Sequence, residues 1–286
     1  MGSVSSYIRD MSLQKLAFQP PACAYTLGQC ETISTVRGDR IAIKIFTPLS
    51  VPLDHTKQRW IARREYEDAK MLCIFSHGNA EDLCTSGPYS QWLADEFNMN
   101  VVSYDYKGYG NSEAGLTSED NMNEAIESVF DLAVTRMRVP KKGIVLLGKS
   151  IGTGPTVFLA SRGHNIAGIV LVSPIASGAR VMAGSSHIPG KLLQSVDGIF
   201  MPSIQRIVNV EVPVCIIHGE QDTIVDIQNA KALHECCGPR AAYPALYVQA
   251  GHNDIEKLHR SEFVEHVSHF IQHTRNVWSE TSLRPD

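Results

Sequence analysis

The stretch IVLLGKSIG, residues 144–152, is the part of the sequence that decides the fold. Four apolar residues predict a short buried strand, and a serine bracketed by two glycines follows it before a helical pattern begins. Glycines at these places permit the tight turn that lifts a serine hydroxyl clear of a sheet. Unpaired N–H groups and the positive end of a helix dipole would then lie beside that hydroxyl. We therefore predict that Ser150 is a nucleophile at a strand-to-helix turn.

Strand and helix patterns alternate on both sides of this turn. Short apolar runs predict seven strands, at Ile41–Thr47, Met71–Ser76, Val101–Asp105, Gly143–Leu147, Ala167–Val172, Val214–His218 and Leu246–Gln249. Amphipathic patterns predict five helices, at Ser86–Phe97, Ser118–Arg138, Ile151–Arg162, Asp226–Cys237 and Asp254–Gln272. Alternation of this kind predicts an α/β fold, with a mostly parallel central sheet and helices on both faces.

A serine hydroxyl is a poor nucleophile without a base that takes its proton. In proteins with this type of serine turn, an acid and then a histidine follow the serine along the chain. Asp222 comes just after the predicted strand Val214–His218, and His252 follows the last strand, so we predict Asp222 as the acid and His252 as the base. Asp226 is the alternative acid, but its position suggests that it caps the next helix. We expect Ser150 and His252 to be exposed at the mouth of the site.

The loop after the predicted strand Met71–Ser76 begins with a His-Gly pair. A loop of this type supplies the second oxyanion donor, so we predict an oxyanion hole made by the backbone N–H groups of Asn79 and Ile151. We interpret His77 as structural, because His252 already stands where the base is needed. Asp105, at the end of the next strand, is interpreted as a carboxylate that fixes a turn. The predicted chemistry requires no organic cofactor and no metal.

The charge balance argues against a polyanionic partner. The chain has 286 residues, with 26 Lys plus Arg against 30 Asp plus Glu and a formal net charge of −4, so we predict no nucleic-acid binding. The seven cysteines show no zinc or redox spacing, which favours a reducing compartment. Four histidines, at positions 259, 266, 269 and 273, share helical spacing, but no convincing ligand set completes a metal site.

The first residues carry a lipidation pattern. MGSVSS, residues 1–6, matches the acceptor pattern for N-myristoylation at Gly2. A single myristoyl chain binds membranes only marginally, and the apolar residues between Val4 and Met11 would add a second contact. Alternatively, this segment packs onto the folded domain. No apolar run approaches the roughly 20 residues that span a bilayer. We therefore predict a cytoplasmic protein held peripherally on the cytosolic face of membranes, at the plasma membrane or endosomes.

The composition along the chain predicts one main domain. We expect residues 1–30 to form a membrane-association or entry segment, residues 31–275 the main α/β domain, and residues 276–286 a C-terminal tail. Within the domain, residues 51–70 are a charged surface insertion of mixed sign, and residues 176–209 are a short lid region.

Several motifs together resemble the α/β-hydrolase superfamily, and more closely the α/β-hydrolase domain-containing protein 17 family of protein S-depalmitoylases. The similarity runs from about Lys15 to Ile271, and its motifs are KLAF (15–18), FSHGNA (75–80), SYDY (103–106), GYG (108–110), SIGT (150–153), LASR (159–162) and AGHNDIE (250–256). The resemblance implies an α/β-hydrolase fold and carries over Ser150, Asp222 and His252 as nucleophile, acid and base. Three departures are the lack of a cysteine cluster before Cys23, where the family carries palmitoylated cysteines, a connection at residues 51–70 that is longer than usual, and Lys149 in place of the usual glutamine.

These observations predict a serine hydrolase. The first hypothesis is removal of palmitoyl or other long-chain acyl groups from cysteine thioesters of membrane-associated proteins, through an acyl-serine intermediate. The alternative is a lipase or esterase acting on small acyl esters such as monoacylglycerol or lysophospholipid. A non-catalytic binding scaffold is a third possibility, and the complete set of Ser150, Asp222 and His252 argues against it.

Overall fold

The computed structural model describes residues 17–49, 71–183, 197–198, 200–239 and 241–281, and its centre is a single eight-stranded sheet. The strands are β1 Glu31–Ser34, β2 Arg40–Phe46, β3 Leu72–Ser76, β4 Asn100–Tyr104, β5 Ile144–Lys149, β6 Gly168–Val172, β7 Val214–Gly219 and β8 Leu246–Val248. Their order in the sheet is β1-β2-β4-β3-β5-β6-β7-β8. β1 and β2 are antiparallel to their neighbours, and every neighbouring pair among β3 to β8 is parallel.

The seven predicted strands are confirmed, with ends that differ by one or two residues. β1 was not among them, because its sequence ETIS is mostly polar and only Ile33 is buried. Such a sequence is typical of an edge strand, which shows little apolar pattern. The central strands β3 to β7 are buried along their whole length, as expected for a parallel sheet covered on both faces.

Helices cover both faces of the sheet. The described helices are α1 Gly87–Phe97, α2 Glu119–Asp131, α3 Thr153–Ala160, α4 Gly178–Ala183, α5 Ser203–Arg206, α6 Gln228–Cys236, α7 Ile255–Leu258 and α8 Arg260–Thr281. One face of the sheet packs against residues of α2, α3 and α6, and the other against α1 and the long helix α8. The architecture is the predicted α/β-hydrolase fold.

Two of the predicted helices are interrupted in the structure. The helix predicted over Ser118–Arg138 ends as an α-helix at Asp131 and continues as a π-helical turn over Leu132–Arg136. The helix predicted over Asp254–Gln272 is divided at His259, whose backbone leaves the helical region at φ −126° and ψ 42°. Its ring lies 3.3 Å from the Gln249 carbonyl, a tertiary contact that helical periodicity does not reveal. The second part, α8, continues past residue 276, at which we predict the C-terminal tail to begin.

Several sequence predictions fall outside the described residues. These are Gly2 with its neighbours up to residue 16, the charged insertion 51–70, and the middle of the predicted lid region. The residues that flank the insertion lie near the end of β2 and the start of β3. This is the end of the sheet at which the parallel strands begin, opposite their carboxyl ends. Among the described residues, no helix combines the length and hydropathy needed to cross a membrane.

The described parts of residues 176–209 make two ion pairs and one aromatic contact. Arg180 in α4 binds Asp197 through two hydrogen bonds of 2.5 and 2.7 Å. Arg206 in α5 binds Glu119, the first residue of α2, at 2.5 Å. Phe200 packs edge-on against Phe18, with ring centroids 5.7 Å apart. The Arg180–Asp197 pair therefore joins two described parts of this region, while Arg206 and Phe200 join it to α2 and to the segment that contains Phe18.

Candidate active site

The turn after β5 has the strained geometry that the sequence predicts for a nucleophile. β5 ends at Lys149, and Ser150–Gly152 form a 3-10 turn that leads into α3. Ser150 has φ +53°, in the left-handed region that non-glycine residues rarely adopt. A side chain at Gly152 would collide with the carbonyl oxygen of Ser76, so only glycine lets this turn approach the end of β3 so closely.

The structure brings the three predicted triad residues together at the carboxyl ends of β5, β7 and β8. His252 Nε2 lies 2.9 Å from Ser150 Oγ, and His252 Nδ1 lies 2.6 Å from Asp222 Oδ2. An ionised carboxylate can only accept a hydrogen bond, so Nδ1 donates to it and Nε2 is left to accept from the serine hydroxyl. Ser150 is partly exposed, as expected, but His252 is buried with 9% exposure, and the prediction of an exposed histidine was wrong. The loops that fix both ring nitrogens also cover the ring.

Asp222 is held as an anion by several donors. Burial alone raises the pKa of its carboxyl, but hydrogen bonds from His218, His252 and the Val225 N–H outweigh that effect and lower the pKa well below its usual range. His218 is the donor that sequence reasoning missed. Its Nε2 lies 3.2 Å from Asp222 Oδ2 and 2.8 Å from the Val225 carbonyl. The sequence does carry a feature that could have indicated this role, because the His218-Gly219 pair at the end of β7 repeats the His77-Gly78 pair after β3.

The rival acid Asp226 has the structural role that its position indicates. Its Oδ1 accepts a hydrogen bond of 2.8 Å from the N–H of Gln228, the first residue of α6. The carboxylate therefore caps a helix, while Asp222 is the acid that contacts His252.

The loop that carries Asn79 is clamped by the Asn79 side chain. Its Nδ2 donates to the Ala17 carbonyl at 2.8 Å, and its Oδ1 accepts from the Gln19 N–H at 2.9 Å and from the Tyr109 hydroxyl at 2.6 Å. The backbone segment 17–19 thus lies directly against the loop of the predicted oxyanion donor. On the other side of the predicted hole, Ile151 is in the first turn of a helix, where an N–H group has no intrahelical acceptor.

His77 lies in the core beneath this loop and not beside Ser150. Its Nε2 is 3.2 Å from Asp105 Oδ1, and its Nδ1 is 2.8 Å from the Gly78 carbonyl. Burial by itself lowers the pKa of His77, but the Asp105 carboxylate outweighs it and raises the pKa. Asp105 also accepts from the Leu83 N–H and from the Tyr25 hydroxyl. Both residues therefore join loops around the site, as the sequence predicted.

We expect Asn79→Ala to lower kcat/KM for a soluble p-nitrophenyl ester by about tenfold, because the variant loses three hydrogen bonds that orient the loop but keeps the backbone N–H. Tyr109→Phe removes one of the three and should cost less than about threefold. Wild-type kcat/KM in Asn79→Ala would show that the side chain does not control the loop.

No group of three His, Cys, Asp or Glu side chains within the described ranges is arranged to hold a metal ion. The seven cysteines all lie within these ranges, and each is a free thiol. The arrangement at Ser150 allows proton transfer from a hydroxyl to an imidazole that a carboxylate holds in place, as acyl transfer by a serine requires.

Comparisons with known proteins identify the family. The α/β-hydrolase domain-containing protein aho-3 of Caenorhabditis elegans is 35% identical over 268 residues, which cover 91% of this chain and 77% of the relative. The chain belongs to the α/β-hydrolase superfamily. A family model described as serine aminopeptidase, S33, matches residues 67–206 of this α/β hydrolase.

Two further relatives carry the name α/β-hydrolase domain-containing protein 17C. The Xenopus tropicalis protein is 41% identical and the human protein 40% identical, each over 205 residues or 72% of this chain. The matched parts span 63% and 59% of those two relatives. The predicted resemblance to the protein 17 family is therefore confirmed.

Solved structures support the fold of this α/β hydrolase. An esterase of Pyrococcus furiosus superimposes with a TM-score of 0.67 at 17% identity, covering 90% of this chain and 98% of that structure. An esterase from Exiguobacterium antarcticum gives a TM-score of 0.58 at 17% identity, covering 85% and 99%. At such low identity these similarities bear on the fold alone.

Proposed function

We propose that this α/β hydrolase is a serine hydrolase that removes long-chain acyl groups from cysteine thioesters of membrane-associated proteins. The observation that carries the proposal is the continuous hydrogen-bonded chain from Ser150 Oγ through His252 to Asp222. The choice of substrate rests on the resemblance to the protein S-depalmitoylase family and on the chemistry of a thiol leaving group.

The proposed reaction has two steps. His252 Nε2 takes the Ser150 proton while Oγ attacks the acyl carbonyl carbon, and the N–H groups of Asn79 and Ile151 bind the resulting oxyanion. The carbon–sulfur bond then breaks, and the cysteine sulfur leaves with the proton that His252 returns. In the second step His252 takes a proton from water, the hydroxide attacks the acyl-serine, and the fatty acid leaves as Ser150 regains its proton.

A cysteine thiol has an ordinary pKa of about 8.5, so its sulfur leaves more readily than an alkoxide and needs less help from a general acid. We therefore expect kcat/KM for a palmitoyl-cysteine peptide to exceed that for the matched palmitoyl-serine ester by at least about tenfold. Steady-state assays on the two peptides measure this ratio. Preference for the oxygen ester would favour the lipase or esterase alternative. A fluorophosphonate probe that fails to label Ser150 would favour a binding scaffold.

Membrane attachment is part of the same proposal. Palmitoylated proteins reside on membranes, so an enzyme bound to the cytosolic face meets them at a higher effective concentration. Gly2 in the MGSVSS pattern is the proposed acceptor of a myristoyl chain, and the neighbouring apolar side chains are the proposed second contact.

Gly2→Ala should shift most of the full-length protein from the membrane to the soluble fraction of eukaryotic cells. Turnover of acylated protein should slow in those cells, while hydrolysis of a soluble ester by the purified variant stays at the wild-type rate. Fractionation and intact-mass measurement provide the readouts. Unchanged partitioning, or an unmodified N-terminus in the wild type, would contradict myristoylation and leave the proposed chemistry unaffected.

A further inference from the structure

A buried cluster of Lys149, Glu256 and Tyr89 lies next to the proposed active site, and the mechanism above does not use it. The Lys149 ammonium is 3.6 Å from Glu256 Oε1, and both side chains are nearly buried, with 11% and 12% exposure. The same ammonium lies 5.0 Å from the centre of the Tyr89 ring. Charged side chains are rarely buried unless they are paired, because burial removes their hydration.

Each member of the cluster belongs to a segment that carries part of the site. Lys149 is the last residue of β5 and directly precedes Ser150. Glu256 is in α7, four residues after His252. Tyr89 is in α1, and its ring packs 5.3 Å from that of Phe75 in β3, the strand that leads into the Asn79 loop. The cluster therefore joins the serine turn, the histidine loop and the oxyanion loop.

Lys149 does not point toward the reacting hydroxyl. Side chains alternate along a strand, and Val145 and Leu147 of β5 both belong to the core between the sheet and helices α1 and α8. Lys149 continues that alternation, which matches its contact with Tyr89 of α1. A direct role for the ammonium in proton transfer at Ser150 is therefore disfavoured.

The Glu256 carboxylate depends on this cation. Its Oε1 is buried, and the Lys149 ammonium 3.6 Å away lies slightly beyond hydrogen-bond distance from it. Burial raises the pKa of Tyr89 well above its usual value, and the Glu256 charge and the contact of the Tyr89 hydroxyl with the Glu256 carboxylate raise it further. The phenol therefore remains neutral, and Lys149 supplies the only positive charge among these three side chains. Without Lys149, the carboxylate would lose its counter-charge and move toward water, and α7 would move with it.

We propose that Lys149 and Glu256 are positioning residues, which fix the position of the His252 loop relative to the Ser150 turn. The pair acts through those segments and does not touch the substrate. This inference rests on the proposed serine-hydrolase function for its effect on turnover, while its structural part can be tested without activity.

The test compares Lys149→Gln, Glu256→Gln and the double variant in the full chain. Each single variant leaves one buried charge unpaired, whereas the double variant leaves none. We expect each single change to lower kcat for a soluble p-nitrophenyl ester by about ten- to a hundredfold with KM within about twofold, because small displacements of catalytic groups are costly. The double variant should recover kcat to within about fivefold of wild type.

Hydrogen exchange of residues 250–259 provides the readout that does not need activity. Exchange should accelerate in both single variants and return toward the wild-type rate in the double variant. The matched control is Glu96→Gln, which breaks the exposed 2.6 Å ion pair between Glu96 of α1 and Arg260 of α8 and should leave kcat and this exchange unchanged.

The proposal would be overturned if the single variants kept the wild-type kcat and lost only thermal stability. It would also be overturned if the kcat of the double variant fell by the product of the two single-variant losses. If the wild type hydrolyses no ester, the proposed function fails, and the exchange data still decide whether the pair positions the loop. If Lys149→Gln does not fold, Glu256→Gln carries the test, and Lys149→Arg, which keeps the cation, should stay closer to wild type than Glu256→Gln in both readouts. No change in either readout of Glu256→Gln would also overturn the proposal.

Discussion

Ser150→Ala is expected to abolish turnover, with kcat reduced by at least about 10⁴-fold and up to roughly 10⁶-fold. The variant lacks the oxygen that lies 2.9 Å from His252 Nε2, so no acyl-enzyme can form. Ser150 is partly exposed, and alanine removes a single atom, so the melting temperature should stay near the wild-type value. Ester hydrolysis and fluorophosphonate labelling measure the effect.

Ser161→Ala is a suitable control for this experiment. Ser161 lies just after the C-terminal end of α3, the helix that begins next to Ser150. Its hydroxyl donates a hydrogen bond to the Phe158 carbonyl, so turnover should be unchanged when it is removed. Retention of more than about a hundredth of the wild-type rate by Ser150→Ala would remove Ser150 as the nucleophile. His252→Ala should lose as much activity but also some stability, because the buried ring leaves a cavity.

The second large effect is expected for Asp222→Asn, with kcat reduced by about 10⁴-fold. The carboxylate accepts the Nδ1 proton of His252, whereas an amide can donate to Nδ1 and favour the tautomer in which Nε2 carries the proton. In that tautomer His252 cannot accept the Ser150 proton. Steady-state kinetics on a soluble ester, with circular dichroism to verify folding, provide the measurement.

Asp226→Asn is the matched control, because asparagine also caps helices and the hydrogen bond to the Gln228 N–H can persist. Its activity should stay within about twofold of wild type. A larger loss in Asp226→Asn than in Asp222→Asn would make Asp226 the acid.

The lowered pKa of Asp222 also has a consequence for stability. A carboxyl whose pKa is lower in the folded state than in the unfolded state stabilises the fold above the unfolded pKa of about 3.9, and this contribution is lost as the pH falls toward the folded pKa. The difference in melting temperature between wild type and Asp222→Asn should therefore shrink below about pH 4. A pH-independent difference would show that Asp222 contributes through packing instead of charge.

Some of the contacts that organise the site could not be predicted from sequence. The Asn79 side chain binds residues 60 and 62 positions away, and Lys149 pairs with Glu256 across an even longer stretch of chain. Periodicity indicates which face of a strand is buried but not which distant side chain meets it. The burial of His252 was missed for the same reason, since it depends on loops that come from different strands.

The sequence by itself determined the features that contiguous residues encode. These are the apolar strands, the glycine-bracketed turn at Ser150 and the chain order of Ser150, Asp222 and His252, because strand burial, turn geometry and placement after a strand depend on local residue type. The tertiary structure alone decided which groups meet. The parallel strands β5 to β8 all end on the same side of the sheet, so Ser150 after β5 and His252 after β8, 102 residues apart, come within 2.9 Å of each other. The same packing pairs Lys149 with Glu256. A buried charge must find its partner wherever the packed strands and helices place one, and that placement is a property of the whole fold.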